Sequence, residues 1–377
     1  MRFRRSAPAA LIAAVIVVVA ALTVLSVRLF GGLTDAVEKS QFELMQAIFD
    51  TALRDAENKA LARAELLAAL PVTRQAVAAR DRQALLDNFA AMFEGQKERH
   101  SVDQVQFHVP PATSLLRLQD PTLFGDDLSR FRPMVVAVNR DHVSAKGLAI
   151  ARSGPAIFGV APVTDMQGNH AGSVEFGLDF APVLVAMKSA YGLEFSLFIE
   201  EKPLRDFATA LDPAVFSEQN RVGRFVRLET TNGALMGHLA GDADISVVNE
   251  PVTYAREAQG VPFGVLLIPL RDGAGQSLGV VATARDFSGS RAAAGRSLVW
   301  QACLAMFAIV ILAGAIIVVI RGFLLRPLEV VIGRFVGLSG GGAPVPIEGS
   351  ERFASELQPL VDLHNRVAAK RAGKPAA

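Results

Sequence analysis

The fold is decided by two stretches of twenty residues, APVTDMQGNHAGSVEFGLDF at 161–180 and IPLRDGAGQSLGVVATARDF at 268–287. A shift of 107 residues aligns them with seven identities: Pro162/Pro269, Asp165/Asp272, Gly168/Gly275, Gly172/Gly279, Val174/Val281, Asp179/Asp286 and Phe180/Phe287. Each copy has a strand, a polar turn with glycine and a second strand, which predicts a β-hairpin. Generic hairpins can agree by chance, but copies about one small domain apart favour two similar α+β lobes in tandem.

Two long apolar stretches lie outside this repeat, at 9–30 and 298–320. The first has two polar residues before Arg28, and the second has Gln301 beside Trp300, a residue typical of membrane interfaces. Each reaches the roughly 20 residues that cross a hydrocarbon core of about 30 Å, so we predict two transmembrane helices. A cleaved signal peptide is the alternative for the first stretch. Its apolar run, however, exceeds the core of about 7 to 15 residues of such signals.

Basic residues flank both apolar stretches on their outer sides. Three arginines lie within residues 1–8 and three more within 321–334. Because positive charge marks cytoplasmic flanks, both termini are expected in the cytoplasm. Residues 6–320 hold 27 Lys+Arg and 32 Asp+Glu, a net charge of −5, and the loop at 31–297 is therefore expected to be a mildly acidic domain outside the cytoplasm.

The composition excludes several classes of protein. The net charge is +1 and 51% of residues are hydrophobic, which argues against a nucleic-acid partner and a disordered acidic chain. One cysteine cannot form an intrachain disulfide, and the six histidines lack metal-ligand spacing. Residues 337–341 fit G-x-S-x-G only formally, without the strand and helix that this motif needs. We expect no catalytic site, metal or cofactor, and hence no enzyme.

The predicted outer domain begins with helices. Apolar residues three and four apart predict a long amphipathic helix over 33–70, ended by Pro71. A second helix is expected from Asp81, its cap, to about Glu98. Strands are predicted at 102–109, 147–151, 156–163 and 172–178.

One continuous segment carries a specific family resemblance. FHVPPATSLLRLQDPTLFGDDLSRFRPMVVAVN at 107–139, followed by GLAIARSGPAIFGVAPV and GSVEFGLDF, resembles the type 3 double Cache domains of bacterial chemoreceptors and sensor kinases. The resemblance covers about 40–290, and the first lobe, about 72–190, matches better than the second, about 191–290. It implies PAS-like lobes, each with a five-stranded antiparallel sheet, a small-molecule pocket in the membrane-distal lobe and a place in the bacterial inner membrane.

Candidate ligand-binding residues concentrate after the first predicted strand. Prolines 110 and 111 fix φ and remove donors, which predicts a shaped loop over 110–132 rather than sheet. Two arginines in this loop could grip a carboxylate, and a histidine could donate or accept a hydrogen bond. The candidates are His108, Arg117, Arg132, Glu175, Phe107, Asp126 and Asp127.

Structural roles compete with these assignments. Asp126 or Asp127 is expected to cap a helix running to Asn139 rather than touch a ligand. The two arginines can pair with those acids, and a lone histidine beside a strand is often structural. Alternation sends Glu175 to the opposite face from its two apolar neighbours. An inward Glu175 would be a pocket residue and an outward one an ordinary solvated side chain; both remain open.

The segment after the second apolar stretch, 321–370, predicts two short amphipathic helices joined by GGGAPVPIEGS. Their apolar stripes are Leu328, Ile332, Phe335 and Leu338, then Phe353, Leu357, Leu360 and Val367. Such narrow stripes need a second chain to cover them, which predicts a homodimer. The arrangement is similar to a HAMP linker: Pro327 matches its early proline, and Glu356 and Asn365 match its second helix. This similarity implies that the three residues relay the signal.

The sequence therefore predicts a membrane receptor that senses a small molecule, with a carboxylate as one candidate group. Only seven residues follow 370, so a separate cytoplasmic signalling protein or another receptor is the expected output partner. A truncated or relic sensor kinase, cyclase or chemoreceptor is one alternative, and a periplasmic protein-interaction module is another. The predicted boundaries are 1–8 cytoplasmic, 9–30 first span, 31–297 periplasmic sensor, 298–320 second span, 321–370 HAMP-like linker and 371–377 tail.

Overall fold

The computed structural model describes residues 3–273, 275–340, 342–343, 345–349, 351, 353 and 355–373. The chain divides into two compact units. One unit, residues 36–290, holds both predicted lobes. The other combines residues 1–35 with 291–377.

Three helices open the chain: α1 Phe3–Ala69, α2 Pro71–Ala79 and α3 Arg82–His100. The predicted end of the long helix is confirmed, because α1 stops at Ala69 and Pro71 starts a new helix, where its missing N–H costs nothing. The predicted cap of α3 is also confirmed, since Asp81 Oδ1 accepts a hydrogen bond of 3.0 Å from the amide of Ala84. The helix expected over 33–70 continues without a break from the first apolar stretch.

The first lobe is built on a five-stranded antiparallel sheet. Its elements are β1 Val102–Val109, β2 Thr113–Arg117, α4 Pro133–Asp141, β3 Ala145–Ala151, β4 Gly154–Thr164 and β5 His170–Asp179. The strand order is β2-β1-β5-β4-β3. The prediction of loop directly after residue 109 was wrong, because the two prolines form only the turn of a hairpin and pairing resumes at Thr113. One sheet face packs on α1, α2 and α3, and α4 covers part of the other.

The second lobe has six strands rather than five. Its elements are α5 Ala181–Tyr191, β6 Glu194–Glu200, α6 Glu201–Phe207, a 3₁₀ turn Pro213–Phe216, β7 Arg221–Val222, β8 Phe225–Thr230, α7 Gly233–Leu239, α8 Asp242–Ile245, β9 Val252–Ala258, β10 Val261–Arg271 and β11 Ser277–Asp286. The order is β7-β8-β6-β11-β10-β9. The additional strand is the two-residue β7 at the edge.

Both predicted hairpins are present, as β4–β5 and β10–β11, and their turns are built alike. The carbonyl oxygen of Asp165 accepts a hydrogen bond of 3.1 Å from the amide of Gly168. The corresponding bond from Gly275 to Asp272 measures 2.9 Å. The two glycines have φ of 92° and 81°, a region that side chains other than glycine seldom enter. The side-chain Oδ1 of each aspartate also accepts a hydrogen bond of 2.8 Å from the amide four residues further on, so the repeated Asp and Gly are both requirements of the turn.

The second repeated glycine is required by the neighbouring strand. A Cβ on Gly172 would lie 2.1 Å from the carbonyl oxygen of His108. A Cβ on Gly279 would lie 2.0 Å from the carbonyl oxygen of Phe198. Because both obstacles are backbone atoms of a paired strand, neither can move aside, and only glycine fits. This shared constraint supports the repeat over chance agreement.

The two lobes touch along β3, an edge strand of the first sheet. The amide of Ala210 donates a hydrogen bond of 2.9 Å to the carbonyl oxygen of Arg152, just past the end of β3. Leu148, within β3, forms a parallel bridge with Asp272 of the second hairpin. The second lobe therefore covers the open side of this strand.

After β11 the chain forms α9 Ser288–Val319, a π-helical segment Ile320–Leu325, α10 Arg326–Ser339, a 3₁₀ turn Ser355–Leu357 and α11 Gln358–Ala372. From residue 291 onward these elements belong to the second unit. Two long helices, α1 and the helix running from Ser288 to Ser339, contain apolar windows suited to crossing a membrane. The side chains of both windows are exposed in the single chain. These two helices are candidate membrane spans on either side of the tandem lobes.

Val331 of α10, Val361 of α11 and Ile347 of the connector form one buried apolar cluster. Asn365 of α11 binds the connector between the two helices, because its Oδ1 accepts a hydrogen bond of 2.8 Å from the amide of Ile347. The residues of the two predicted apolar stripes differ in burial: Leu338 and Leu357 are buried, whereas Ile332 and Leu360 are exposed. The predicted connector at 340–350 and the tail at 371–377 lie partly outside the described residues.

Candidate ligand-binding site

The face of the first sheet turned away from α1 carries buried polar side chains. Alternation along β1 sends Val105 and Phe107 into the core formed with the helices. The same alternation sends Gln104, Gln106 and His108 to the opposite face, where all three are buried. A buried sheet face is ordinarily apolar, so this strand departs from the usual pattern.

Neighbouring elements complete what we call the buried polar cluster. Its eight members are Gln104, Gln106, His108, Ser114, Arg117, Arg132, Ser173 and Glu175, none more than 7% exposed. Gln104 Nε2 donates a hydrogen bond of 2.5 Å to Glu175 Oε1. Gln106 Nε2 donates one of 2.9 Å to Ser114 Oγ. The cluster is thus partly cross-linked across three strands, which holds its side chains in place.

Arg117 is held by three side-chain hydrogen bonds within the protein. Its two terminal nitrogens donate hydrogen bonds of 2.8 and 2.7 Å to the two carboxylate oxygens of Asp126. A third bond of 2.9 Å reaches the carbonyl oxygen of Leu123. These bonds hold the pKa of Asp126 below its ordinary value. Arg117 therefore closes the loop after β2, and its charge is already balanced.

Arg132 is much less engaged, although it is equally buried. Its one hydrogen bond within the described part of the chain goes to the carbonyl oxygen of Ile150, at 3.3 Å. The nearest carboxylate oxygen, Glu175 Oε1, lies 3.6 Å from its Nη2, beyond ordinary hydrogen-bond distance. The guanidinium stacks 4.6 Å from the ring centroid of Phe158. A guanidinium has five N–H donors, so Arg132 retains donors for a ligand.

Burial controls the protonation of the two other titratable members. It raises the pKa of Glu175, and Arg132 and the hydrogen bond from Gln104 offset part of that rise. Burial also lowers the pKa of His108 to about 3, assisted by the positive charges of Arg132 and Arg117. His108 is therefore neutral at ordinary pH. Within the described residues its Nε2 is buried without a hydrogen-bond partner.

Two cavities border the cluster. The polar chamber, about 190 Å³, is lined by Gln104, Gln106, Arg117 and Arg132 among others. The junction chamber, about 340 Å³, lies between the lobes and is lined by Arg132 and Glu175 from the first lobe and by several second-lobe residues. Phe131, Arg132, Ile150 and Phe207 border both chambers. Arg132 is therefore accessible to a ligand from both chambers.

The structure answers the question of where Glu175 points. Glu175 is 1% exposed and faces the buried polar cluster, whereas Val174 and Phe176 pack in the core on the opposite face. The inward alternative is therefore the correct one.

Three other candidates do not reach either chamber. Phe107 faces the core, where its ring stacks on Phe89 at 5.7 Å between centroids. Asp127 is exposed and accepts a hydrogen bond of 2.9 Å from the amide of Ser129. His108 belongs to the buried polar cluster but is not among the residues that line the chambers.

The prediction that Asp126 or Asp127 caps the following helix was wrong. Helix α4 begins at Pro133, and its N-cap is Arg132, which makes no side-chain capping bond. The acids instead bind Arg117 and Ser129. Because Pro133 already lacks an N–H, this helix start has one orphan donor fewer to satisfy.

Four polar members of the cluster were missing from the sequence prediction: Gln104, Gln106, Ser114 and Ser173. The signal was present in the first of these strands, VDQVQFHV, where polar residues alternate with Val and Phe. Alternation in an antiparallel strand ordinarily means a solvated face, so it did not distinguish a polar pocket from a surface.

The sequence over residues 38–286 matches the profile of the type 3 double Cache family, described as the double sensory domain of two-component sensor kinases. The chain belongs to this family. The predicted double Cache assignment is thereby confirmed, and the chain carries the sensor domain of a signal-transduction receptor. In this double Cache chain, two long apolar helices flank the sensory domain.

Solved structures show distant similarity to the double Cache unit. The ligand-binding domain of the Campylobacter jejuni chemoreceptor Tlp3 with L-valine is 8% identical, has a TM-score of 0.40, and covers 70% of this chain and 97% of its own. The ligand-binding domain of the Pseudomonas fluorescens chemoreceptor CtaA with L-serine is 12% identical, has a TM-score of 0.38, and covers 67% of this chain and 98% of its own. An extracellular ligand-binding receptor from Desulfohalobium retbaense is 14% identical with a TM-score of 0.36, and the match covers 65% of this chain and 39% of that receptor. No curated protein matches the sequence.

Proposed function

We propose that the chain is a two-span receptor of the bacterial inner membrane whose double Cache domain binds a small anionic molecule, such as a carboxylate, at Arg132. The supporting observation is the contrast between two buried arginines. Arg117 is neutralised by Asp126 in a two-bond ion pair, whereas Arg132 has one long hydrogen bond, faces Glu175 only at 3.6 Å and borders both chambers. A buried cation with unused donors is the group that a carboxylate binds most strongly.

Glu175 is the main opposing charge, and its environment weakens that opposition. Its carboxylate lies 3.6 Å from Arg132 and would repel a bound anion. Burial already favours the protonated form of Glu175, since it raises the pKa. An anion on Arg132 would favour that form further, and a protonated Glu175 can donate a hydrogen bond to the ligand. The pair can therefore accept an anion without leaving two buried negative charges together.

The proposed relay follows the covalent path of the chain. Helix α1 is continuous from the first apolar stretch into the sensory unit, and β11 is followed directly by α9. With both termini cytoplasmic, a ligand that prefers one arrangement of the lobes would bias the second span. The HAMP-like pair, with Pro327, Glu356 and Asn365 as relay residues, would pass that bias to a separate signalling protein or another receptor. Exposed Ile332 and Leu360 support a homodimer.

The test is thermal unfolding of the purified chain against a panel of small carboxylates and their neutral amides. A ligand present at about 100 times its Kd should stabilise the fold by about 2.7 kcal/mol. Arg132→Gln should remove the shift given by a carboxylate. Arg140→Gln is the matched control, because Arg140 is an exposed arginine on α4 that pairs with Asp141. A shift retained in Arg132→Gln would contradict the proposed site.

A folded chain that responds to no small molecule but captures a periplasmic protein would instead support the protein-interaction alternative. Reporter fusions at the two termini would test the proposed topology. Activity of a periplasm-dependent reporter at either terminus would contradict it.

A further inference from the structure

The two chambers differ in size. The polar chamber, about 190 Å³, contains the ion pair of Arg117 and Asp126 and the amides of Gln104 and Gln106. The junction chamber is larger, about 340 Å³. A cavity of about 150 Å³ holds benzene, so the junction chamber has room for a six-membered ring with a side chain.

The first-lobe wall of the junction chamber is mainly apolar. It includes Phe131, Met134, Leu148, Ile150 and Phe158. Phe131 is 39% exposed although it is aromatic, so much of its ring is still available for contact. A flat apolar body in this chamber would cover a ring that the protein itself leaves partly uncovered.

The second lobe supplies the opposite wall. Pro203 and Phe207 reach the chamber from α6, and Leu278 reaches it from β11. The rings of Phe131 and Phe207 lie 5.1 Å apart between centroids at an angle of 68°, an edge-to-face contact across the lobes. A ligand in this chamber would therefore touch both lobes.

Arg132 borders both chambers, so a carboxylate on it can extend in either direction. The polar chamber would bring an apolar body against charged and amide groups that already bind one another. The junction chamber combines aromatic and aliphatic walls with polar side chains that include Glu200, Asp272 and Gln276. The polar chamber, about 190 Å³, is little larger than the cavity of about 150 Å³ that holds benzene, so a ring that carries a further group is better accommodated in the junction chamber, about 340 Å³.

We propose that the ligand is an aromatic or alicyclic carboxylate whose carboxylate binds Arg132 and whose ring occupies the junction chamber against Phe131 and Phe207. This inference rests on the proposed function, and it adds the class of ligand and the participation of the second lobe. Such a ligand holds the two lobes together through its ring.

The experiment is calorimetric titration of the full-length chain in detergent with phenylacetate, and with acetate as the short anion. Phenylacetate should bind at least about tenfold more tightly, because burial of the ring contributes only to its binding. Phe207→Ala should weaken phenylacetate binding about five- to tenfold and leave acetate unchanged. Phe216→Ala is the matched control, since this second-lobe phenylalanine lies against Arg205 and lines neither chamber.

A second variant controls for a loss of the fold in Phe207→Ala. Ser277 lies exposed at the edge of the junction chamber, so Ser277→Trp fills the chamber without removing a core side chain. It should abolish the preference for phenylacetate over acetate.

The outcomes separate this inference from the proposed function. Equal affinity of the wild type for the two probes would overturn the inference, and so would full phenylacetate affinity in Phe207→Ala and Ser277→Trp. In either case, acetate binding that is lost in Arg132→Gln would still support the proposed function. If neither phenylacetate nor acetate binds, the inference is overturned. If no carboxylate of the panel binds, the proposed function is overturned too.

Discussion

Replacement of Arg132 by methionine should destabilise the sensory unit through Glu175. Methionine keeps an apolar stem against Phe158 but removes the charge 3.6 Å from Glu175 Oε1. Glu175 is 1% exposed and keeps its hydrogen bond from Gln104. Removal of one partner of a buried ion pair typically costs about 3–5 kcal/mol. Because this pair is longer than a hydrogen bond, we expect a loss near the lower end, about 3 kcal/mol at pH 8.

The loss should depend on pH with a defined sign. Burial raises the pKa of Glu175 above its ordinary value of 4.5, and Arg132 opposes that rise. Without Arg132 the pKa rises further. An acid with a raised pKa binds more protons in the folded than in the unfolded state. Its protonation therefore favours the folded state below pH 4.5, and this stability is lost as the pH rises through the folded pKa. Each added pKa unit corresponds to about 1.4 kcal/mol. Arg132→Met should therefore cost little at pH 4 and its full amount at pH 8.

The assay is urea denaturation of the segment 36–290, followed by far-ultraviolet circular dichroism at pH 4, 6 and 8. Arg132→Met with Glu175→Gln should recover most of the loss at pH 8, since glutamine offers Gln104 an oxygen and carries no charge. Arg140→Met is the surface control. An equal cost of Arg132→Met at pH 4 and pH 8, or no recovery with Glu175→Gln, would refute the coupling of the pair.

Further substitutions test the scaffold by the same denaturation assay. Gly172→Ala should cost about 2 kcal/mol or more, because its Cβ would meet the carbonyl oxygen of His108; an unchanged midpoint would contradict that close approach. Gly95→Ala should instead stabilise α3 by about 0.5–1 kcal/mol, since the nearest atom to its Cβ belongs to a flexible arginine end. Asp126→Asn should cost about 1–2 kcal/mol at pH 7 by weakening the bonds to Arg117. Because Arg117 lowers the pKa of Asp126, the difference from wild type should shrink as pH falls through that lowered pKa, and a constant difference down to pH 2 would contradict the role of this ion pair.

The hairpins could be predicted because their constraints are local. The repeated glycines at 168 and 275 serve turns with positive φ, and those at 172 and 279 avoid backbone atoms of the paired strand. These requirements leave a pattern within about twenty residues of sequence, which a shift of the chain against itself makes visible.

The orientation of Glu175 could not be predicted in the same way. Strand β5 is buried on both faces from Gly172 to Leu178, so alternation separates its two faces without saying which one meets helices and which one meets a cavity. That difference depends on where α4 and the loop before it fold back. It is a tertiary property, and no short window of sequence contains it.

The difference between Arg117 and Arg132 has a similar origin. Both lie in the segment that the sequence predicts as a loop with acids nearby, and their spacing favours both equally as partners of those acids. The hairpin of β1 and β2 brings Asp126 to Arg117, and α4 carries Arg132 away to the lobe junction. Because the sequence analysis did not predict strand β2, it could not tell which of the two arginines keeps hydrogen-bond donors for a ligand.

The contact along β3 limits how the sensory unit can be divided. In a first lobe expressed alone, this strand would lose the bond from Ala210 and the bridge to Asp272, and its free backbone groups would be open to pairing with other molecules. Such an unprotected edge is a template for aggregation. The two lobes should consequently behave as one folding and evolutionary unit, inherited and expressed together, even though each has its own sheet.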